Sequence, residues 1–208
     1  NTRDGKSFST RSVTAVQRDQ PIFTATASFH IAETGLEYQL PMPEVPAPES
    51  LPSLRELATS GANGPVDRLE SLLRLSVPFD LKPVNNRTIE ADTVKIVPRL
   101  DAWIKTTHPI SDDIDLHRAI LAYISDYGLV RTALLPHRTW LGNPVLQLAS
   151  LDHAMWFHRP FRMDEWLLYT CEPVTTGSAR GLARGSFYSR DGVLVASTIQ
   201  EGLLRLRN

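Results

Sequence analysis

Cysteine occurs once in these 208 residues, at Cys171. A single thiol forms no internal disulfide and no cysteine-based metal cluster. It lies in a strand-like stretch with no basic partner nearby in sequence, so a catalytic thiolate is not expected. An excess of one charge is missing too. The 22 Lys and Arg against 23 Asp and Glu leave a net charge of −1, which argues against a nucleic-acid surface or an anionic-membrane binder. No apolar run approaches the roughly 20 residues of a membrane span. No glycine-rich loop follows a strand, and Gly181 with Gly185 reads instead as close backbone packing within a strand pair. Asn1 runs straight into a turn and a strand, which reads as neither a signal peptide nor a polar leader, so the full protein is expected to start earlier. What is present, 42% hydrophobic and 22% charged residues, suits a globular chain of one large domain or two small ones.

The chain opens with a hairpin. Asp4-Gly5 is a turn signal, residues 8–17 alternate as a strand, Arg18 to Pro21 turn, and residues 22–29 are rich in β-branched and aromatic side chains. Five of the 15 prolines then fall between Pro41 and Pro52, where the chain can form neither a ladder nor a helix. This predicts an extended linker over 33–64, followed by a short amphipathic helix over 66–75. A second sheet begins at 78–84 and continues at 94–106. Ser111 is the expected N-cap of a helix whose first turn holds Asp112 and Asp113, and which ends near Gly128. Its run Ala119 to Ile124 is apolar on nearly every face, which predicts a helix wrapped by its domain. Four strands follow, over 145–157, 166–172, 181–188 and 193–206, with an Asp191-Gly192 hairpin turn between the last two. This order describes an antiparallel sheet curled around one helix. A weak internal echo, Arg18-Asp19 before one strand and Arg190-Asp191 before another, suggests two such units, with Ser28 in the place of Gln200.

Ser150, Asp152 and His153 invite a Ser-His-Asp reading. It is rejected because no G-x-S-x-G elbow is present and neighbours on a strand face opposite ways. His153 and His158, five apart on the same strand, would likewise face opposite sides and hold no metal. Asp152-His153 with Trp156 to His158 reads as a hydrogen-bonded core element beside the active site. Three polar groups remain in apolar settings: Asp126 on the helix, Ser150 on a strand and Gln200 on the last strand. Each alone reads as structural. Together they could orient a water, with the carboxylate accepting its proton and the hydroxyl and amide fixing it. Spacing alone does not show that they converge.

Residues 150–172 (SLDHAMWFHRPFRMDEWLLYTCE), 178–202 (SARGLARGSFYSRDGVLVASTIQEG), 122–128 (AYISDYG) and 3–29 together resemble the acyl-CoA thioesterase II family over essentially the whole chain. The resemblance implies an α+β fold, a tandem (double) hotdog in which each antiparallel sheet wraps a central helix. The first hotdog would be N-terminally incomplete in this chain. The implied division is 1–32 as the C-terminal strands of hotdog 1, 33–77 as a proline-rich linker with a short helix, and 78–208 as hotdog 2. The resemblance also implies an acyl-CoA hydrolase in which Asp126, Ser150 and Gln200 activate the hydrolytic water. No cofactor is expected, CoA being part of substrate and product, and no metal.

The alternative is a hotdog that binds acyl-CoA without turning it over. A hydratase would need an Asp/His pair on the helix, and His117 and Asp126, nine apart, do not match that pattern. Retention of all three polar groups favours catalysis over binding alone. The expected partners are the acyl-CoA substrate and further copies of the chain in a homo-oligomer, with no nucleic acid and no membrane span. Leu206-Arg207-Asn208 carries no S-K-L-type signal, so the cytoplasm is the expected compartment.

Overall fold

The first hairpin forms where its alternation predicts. The computed structural model describes residues 3–59, 78–84, 98–137 and 144–207. It divides the chain into two units, Asn1–Tyr38 and Gln39–Asn208. The first is a three-stranded antiparallel sheet in the order β1 (Arg3–Asp4), β2 (Phe8–Gln17), β3 (Gln20–His30). The Gly5 N–H donates to the Phe8 carbonyl at 2.7 Å and closes the first turn. The Phe8 ring stacks on His30 with centroids 4.2 Å apart.

The second unit is an antiparallel sheet of seven strands. They are β4 (Phe79–Pro83), β5 (Leu100–Thr106), β6 (Leu146–Ser150), β7 (Ala154–Phe157), β8 (Leu167–Gly177), β9 (Arg180–Ser189) and β10 (Leu194–Leu206). Their order is β4-β5-β8-β9-β10-β6, and β7 also pairs with β10. One face of this sheet carries the helix α2 (Ile114–Ser125) and, after Gly128, the short helix α3 (Leu129–Thr132). The core between sheet and helices is built from Ile104, Leu121, Ile124, Leu129, Met163, Tyr169 and Phe187, all at most 6% exposed. Tyr169 and Phe187 stack at 3.9 Å. This is the hotdog arrangement, a sheet curled on one helix.

Four expectations change. The helix α2 is not buried all round: His117, Leu121, Ile124 and Ser125 face the sheet, while Ala119 and Ala122 are exposed and Tyr123 is 67% exposed. Alanine adds little apolar area and Tyr carries a polar tip, so the outward face costs little. The N-cap is Asp113, whose carboxylate accepts from the Asp115 N–H at 3.0 Å, two residues later than expected. Asp112 is engaged instead by Arg162 at 2.6 Å. The proline-rich stretch is also not wholly extended. It contains a 3₁₀ turn at Pro48–Ser50 and the helix α1 (Leu54–Thr59). The Ser53 hydroxyl accepts from the Glu56 N–H at 3.2 Å while the Glu56 carboxylate accepts from the Ser53 N–H at 2.6 Å, a capping box readable as S-x-x-E. Finally, 145–157 is two strands rather than one, for a reason given with the site. The helix expected at 66–75 lies outside the described residues, as do residues 94–97.

The sheet's other face carries a second cluster of Trp103, Leu168 and Tyr188, against which Met42, Val45 and Leu51 pack. Residues 39–52 thus form a strap on this face. Trp103 Nε1–H donates to the Pro46 carbonyl at 2.9 Å, and Gln39 bonds both Gly192 and Leu194. Glu49 takes a two-pronged bond from Arg190, which holds its carboxyl below the usual carboxylate range. A row of prolines has little conformational entropy to lose, which favours a strap of this kind.

Candidate active site

Three elements deliver one polar residue each to a common point. Asp126 is the C-cap of α2, and the chain leaves the helix through Gly128, whose φ of +86° is a left-handed conformation that glycine adopts without strain. A carboxylate at the negative end of a helix is disfavoured by the helix dipole and therefore calls for donors. It has two. Gln200 Nε2 donates to Asp126 Oδ1 in a short hydrogen bond, and Ser150 Oγ donates to the same oxygen at 3.4 Å. Ser150 is the last residue of β6, paired with Gly202 on β10, and so stands two residues along from Gln200. Along β10, Ala196, Thr198, Gln200 and Gly202 form the inward, buried row, which is why an amide at position 200 faces the helix.

Asp126 and Ser150 are exposed, whereas Gln200 is 1% exposed. The Gln200 Oε1 atom has no hydrogen-bond partner among the described residues. A buried amide oxygen with no donor is costly and marks a place for a ligand or a water. The structure thus brings together all three residues that the sequence singled out. Their chemical content is a carboxylate held on one oxygen by two donors, beside an unsatisfied amide carbonyl and a hydroxyl with lone pairs to spare.

The split between β6 and β7 belongs to this site. The N–H groups of Leu151 and Asp152 both point to the Glu201 carbonyl, at 2.9 and 3.4 Å, so the ladder breaks there. Asp152 and His153 leave the pleat. Asp152 Oδ1 accepts from the Glu201 N–H at 2.8 Å, and His153 Nε2 lies 2.8 Å from Ser125 Oγ. Burial holds the His153 imidazole below its usual value, against the opposing pull of Asp126 and Asp152. The Asp152-His153 pair is therefore hydrogen-bonded and beside the site, as expected, but both residues are exposed rather than in a core. Ser150, Asp152 and His153 each bond a different partner and form no triad. His158 bonds Ser197 at 2.9 Å, apart from His153. Cys171 is buried, and burial pushes its thiol up to about 12, which suits a packing residue and not a nucleophile.

A separate cleft of about 360 Å³ lies on the other flank of α2, bounded by Leu54, Phe79, Leu81, Ile104, Tyr123 and Ile124. It touches neither Ser150 nor Gln200.

Residues 80–203 match the family model described as acyl-CoA thioesterase, and residues 1–30 match the acyl-CoA thioesterase N-terminal domain. Among curated relatives, human acyl-coenzyme A thioesterase 8 is 40% identical over 214 residues, covering 99% of this chain and 66% of the human protein. Acyl-CoA thioesterase 2 of Haemophilus influenzae is 36% identical over 205 residues, covering 98% of this chain and 71% of that protein. The chain thus spans about two thirds of the length of such relatives. A crystal structure of acyl-CoA thioesterase II TesB2 from Mycobacterium marinum superposes with a TM-score of 0.78 at 36% identity, covering 100% of this chain and 72% of that one. A hotdog-fold protein of unknown function from Alicyclobacillus acidocaldarius reaches a TM-score of 0.73 at 16% identity, a likeness of fold alone.

Proposed function

The chain belongs to the acyl-CoA thioesterase II family, and from that premise we propose that it hydrolyses fatty acyl-CoA to free fatty acid and CoA by direct attack of water. The observation that carries the reading is the convergence of Asp126, Ser150 and Gln200, from three separate elements, around Asp126 Oδ1. With Oδ1 held by two donors, Oδ2 is the oxygen that accepts a proton from water. The second O–H stays on the attacking oxygen and donates a hydrogen bond to Gln200 Oε1, whose burial leaves it in need of a donor. The water oxygen then adds to the thioester carbonyl carbon. As the tetrahedral intermediate collapses the C–S bond breaks, and the proton taken up by Asp126 passes to the departing thiolate. No covalent acyl-enzyme forms and no cofactor is required, CoA being part of the substrate.

The related assignments rest on lighter support. A role in fatty-acid metabolism follows from the substrate class. A homo-oligomer fits the exposed apolar side chains Trp156, Phe157 and Leu206 on the β6–β7 side of β10. A cytoplasmic setting fits a lone, buried, protonated thiol. No helix among the described residues is long and apolar enough to cross a membrane.

The test is release of free thiol from a panel of acyl-CoAs, short to long, by the wild type and by Asp126→Asn. Loss of the base lowers turnover on the order of 10²-fold or more with substrate affinity little changed. Equal activity of the two proteins would remove Asp126 from the chemistry. Binding of acyl-CoA without turnover by the wild type would favour the non-catalytic module.

A further inference from the structure

The three residues of the site are held by a second set of bonds from residues close to each along the chain. Asp126 is preceded by Ser125, Gln200 is followed by Glu201, and Ser150 is followed by the turn that ends in Asp152 and His153. Asp152 is tied to the Glu201 N–H and His153 to Ser125 Oγ. The Asp126 and Gln200 motifs thus contribute one group to the centre and one tie to its rim, and the Ser150 motif one group and two ties.

The tie at Ser125 has a definite polarity. Ser125 is fully buried, and its hydroxyl donates to the Ala122 carbonyl at 2.8 Å. A hydroxyl has one proton, so toward His153 Nε2, also 2.8 Å away, the same oxygen can only accept. With both contacts formed as hydrogen bonds, the imidazole carries its hydrogen on Nε2. From the other side Tyr169, itself 6% exposed, donates its phenol to the Ser125 carbonyl at 2.6 Å. The residue immediately before Asp126 is in this way fixed by bonds at its side chain and its backbone. Of these, only the bond from His153 comes from the Ser150 loop.

Resting on the thioesterase reading above, we propose that His153 is a positioning residue for the water-activating carboxylate: as an Nε2–H donor it locks the Ser150 loop to Ser125 and so fixes Asp126 at its working distance from Ser150. The Ser150–Asp126 contact of 3.4 Å is long and both partners are exposed, so it depends on this neighbouring tie to persist. His153 needs no contact with substrate to act in this way.

The experiment compares wild type, His153→Ala and His153→Gln, the last of which keeps a donor near the Nε2 position. For His153→Ala the expected result is a kcat lowered about 10- to 100-fold, as for a catalytic group displaced by a fraction of an ångström, with KM within about 2-fold. His153→Gln should recover most of that loss. Because His153 is exposed, both variants should fold, and thermal melting close to that of the wild type verifies it. In ¹⁵N NMR of the wild type the His153 ring should show a protonated Nε2 and an unprotonated Nδ1. A kcat for His153→Ala equal to wild type overturns the proposal, as does a His153→Gln no better than Ala. An Nδ1–H tautomer overturns the donor role. Wild type without hydrolysis would instead overturn the thioesterase reading itself, an outcome distinct from an active wild type matched by His153→Ala.

Discussion

The hairpins β2–β3 and β9–β10 share a pattern and differ in everything that follows from it. Counting from Arg18-Asp19 and Arg190-Asp191, Phe23 stands where Val195 does, Thr26 where Thr198 does, Ser28 where Gln200 does and His30 where Gly202 does. Phe23 is 58% exposed and Val195 1%. Ser28 is exposed and Gln200 is buried. Strand propensity and turn chemistry make both ribbons, and among the described residues of its own unit β9–β10 has a helix laid on it. An amide on a solvated strand is hydrated and inert. The same kind of position under α2 is desolvated, aimed at a carboxylate and short of one donor, and that is what gives it chemical meaning.

The sharpest way to break this comparison is to write the first hairpin's residue into the second. Gln200→Ser removes the donor to Asp126 and the unsatisfied carbonyl together. Turnover should fall about 10²- to 10³-fold, the scale of losing one preorganised polar group, whereas Ser28→Ala should leave kcat unchanged. Steady-state thioester hydrolysis reads both. If Gln200→Ser kept wild-type turnover, burial of the amide would have no part in the reaction.

Next in size is Gly202, the counterpart of His30. A Cβ there would overlap Val130 Cγ2 on α3 and approach the Ala149 carbonyl oxygen to 3.2 Å, so the short helix can sit on β10 only because position 202 lacks a side chain. Gly202→Ala should destabilise the protein by about 1–3 kcal/mol through overpacking. His30→Ala, on an exposed strand, should change stability within about 0.5 kcal/mol. Denaturant titration measures both.

A smaller difference concerns pH. Ser197 on β10 faces His158 Nε2 at 2.9 Å, while its counterpart Ala25 has no polar group to offer. Burial, and then Arg159, hold the His158 imidazole below its ordinary 6.5. The unfolded chain therefore takes up this proton first as pH falls, and the contribution of neutral His158 is complete above 6.5 and is lost progressively below it. In melting curves from pH 7 to 5, His158→Gln should decline less steeply than wild type. An unchanged slope would show that the imidazole is as solvated folded as unfolded.

Much of this was legible in the sequence, and the gaps have physical causes. The strands β8 to β10 declare themselves by alternation and turns, and Asp126, Ser150 and Gln200 stand out as polar groups in apolar runs. Their convergence is not written in spacing, because it depends on which strand lies beside β10. The break at Leu151 was hidden because it arises from two N–H groups sharing the Glu201 carbonyl, a tertiary event on a strand-like sequence. That break is also what frees His153 to reach Ser125, so the reading of 145–157 as one strand concealed the tie along with the turn. The helix α1 is hard to read for another reason: the Ser53 to Glu56 capping box that starts it follows directly on five prolines.

The smallest prediction separates local from global stability. Arg18-Asp19 and Ser178-Ala179 are both two-residue hairpin loops, linking the pairs Gln17–Gln20 and Gly177–Arg180, and both residues of each have positive φ, 50° and 61° in one, 49° and 58° in the other. Such loops favour Asn-Gly, since a Cβ is strained there and Asn and Asp tolerate the conformation best. Alanine has no side-chain bond to offset the strain, so the Ser178-Ala179 loop has more to gain than Arg18-Asp19. Its replacement by Asn-Gly should stabilise the protein by roughly 0.5–1 kcal/mol, and because the Ala179 carbonyl also accepts from the Leu204 N–H at 2.7 Å, the gain is transmitted to β10 and raises the melting temperature. The same replacement at Arg18-Asp19 acts on a ribbon whose side chains are already in water. It should slow amide exchange in β2 and β3 while leaving the melting of the second unit unchanged. Equal shifts in melting temperature from both replacements would mean that the two hairpins unfold as one cooperative body, and that the contrast in burial between them carries no contrast in stability.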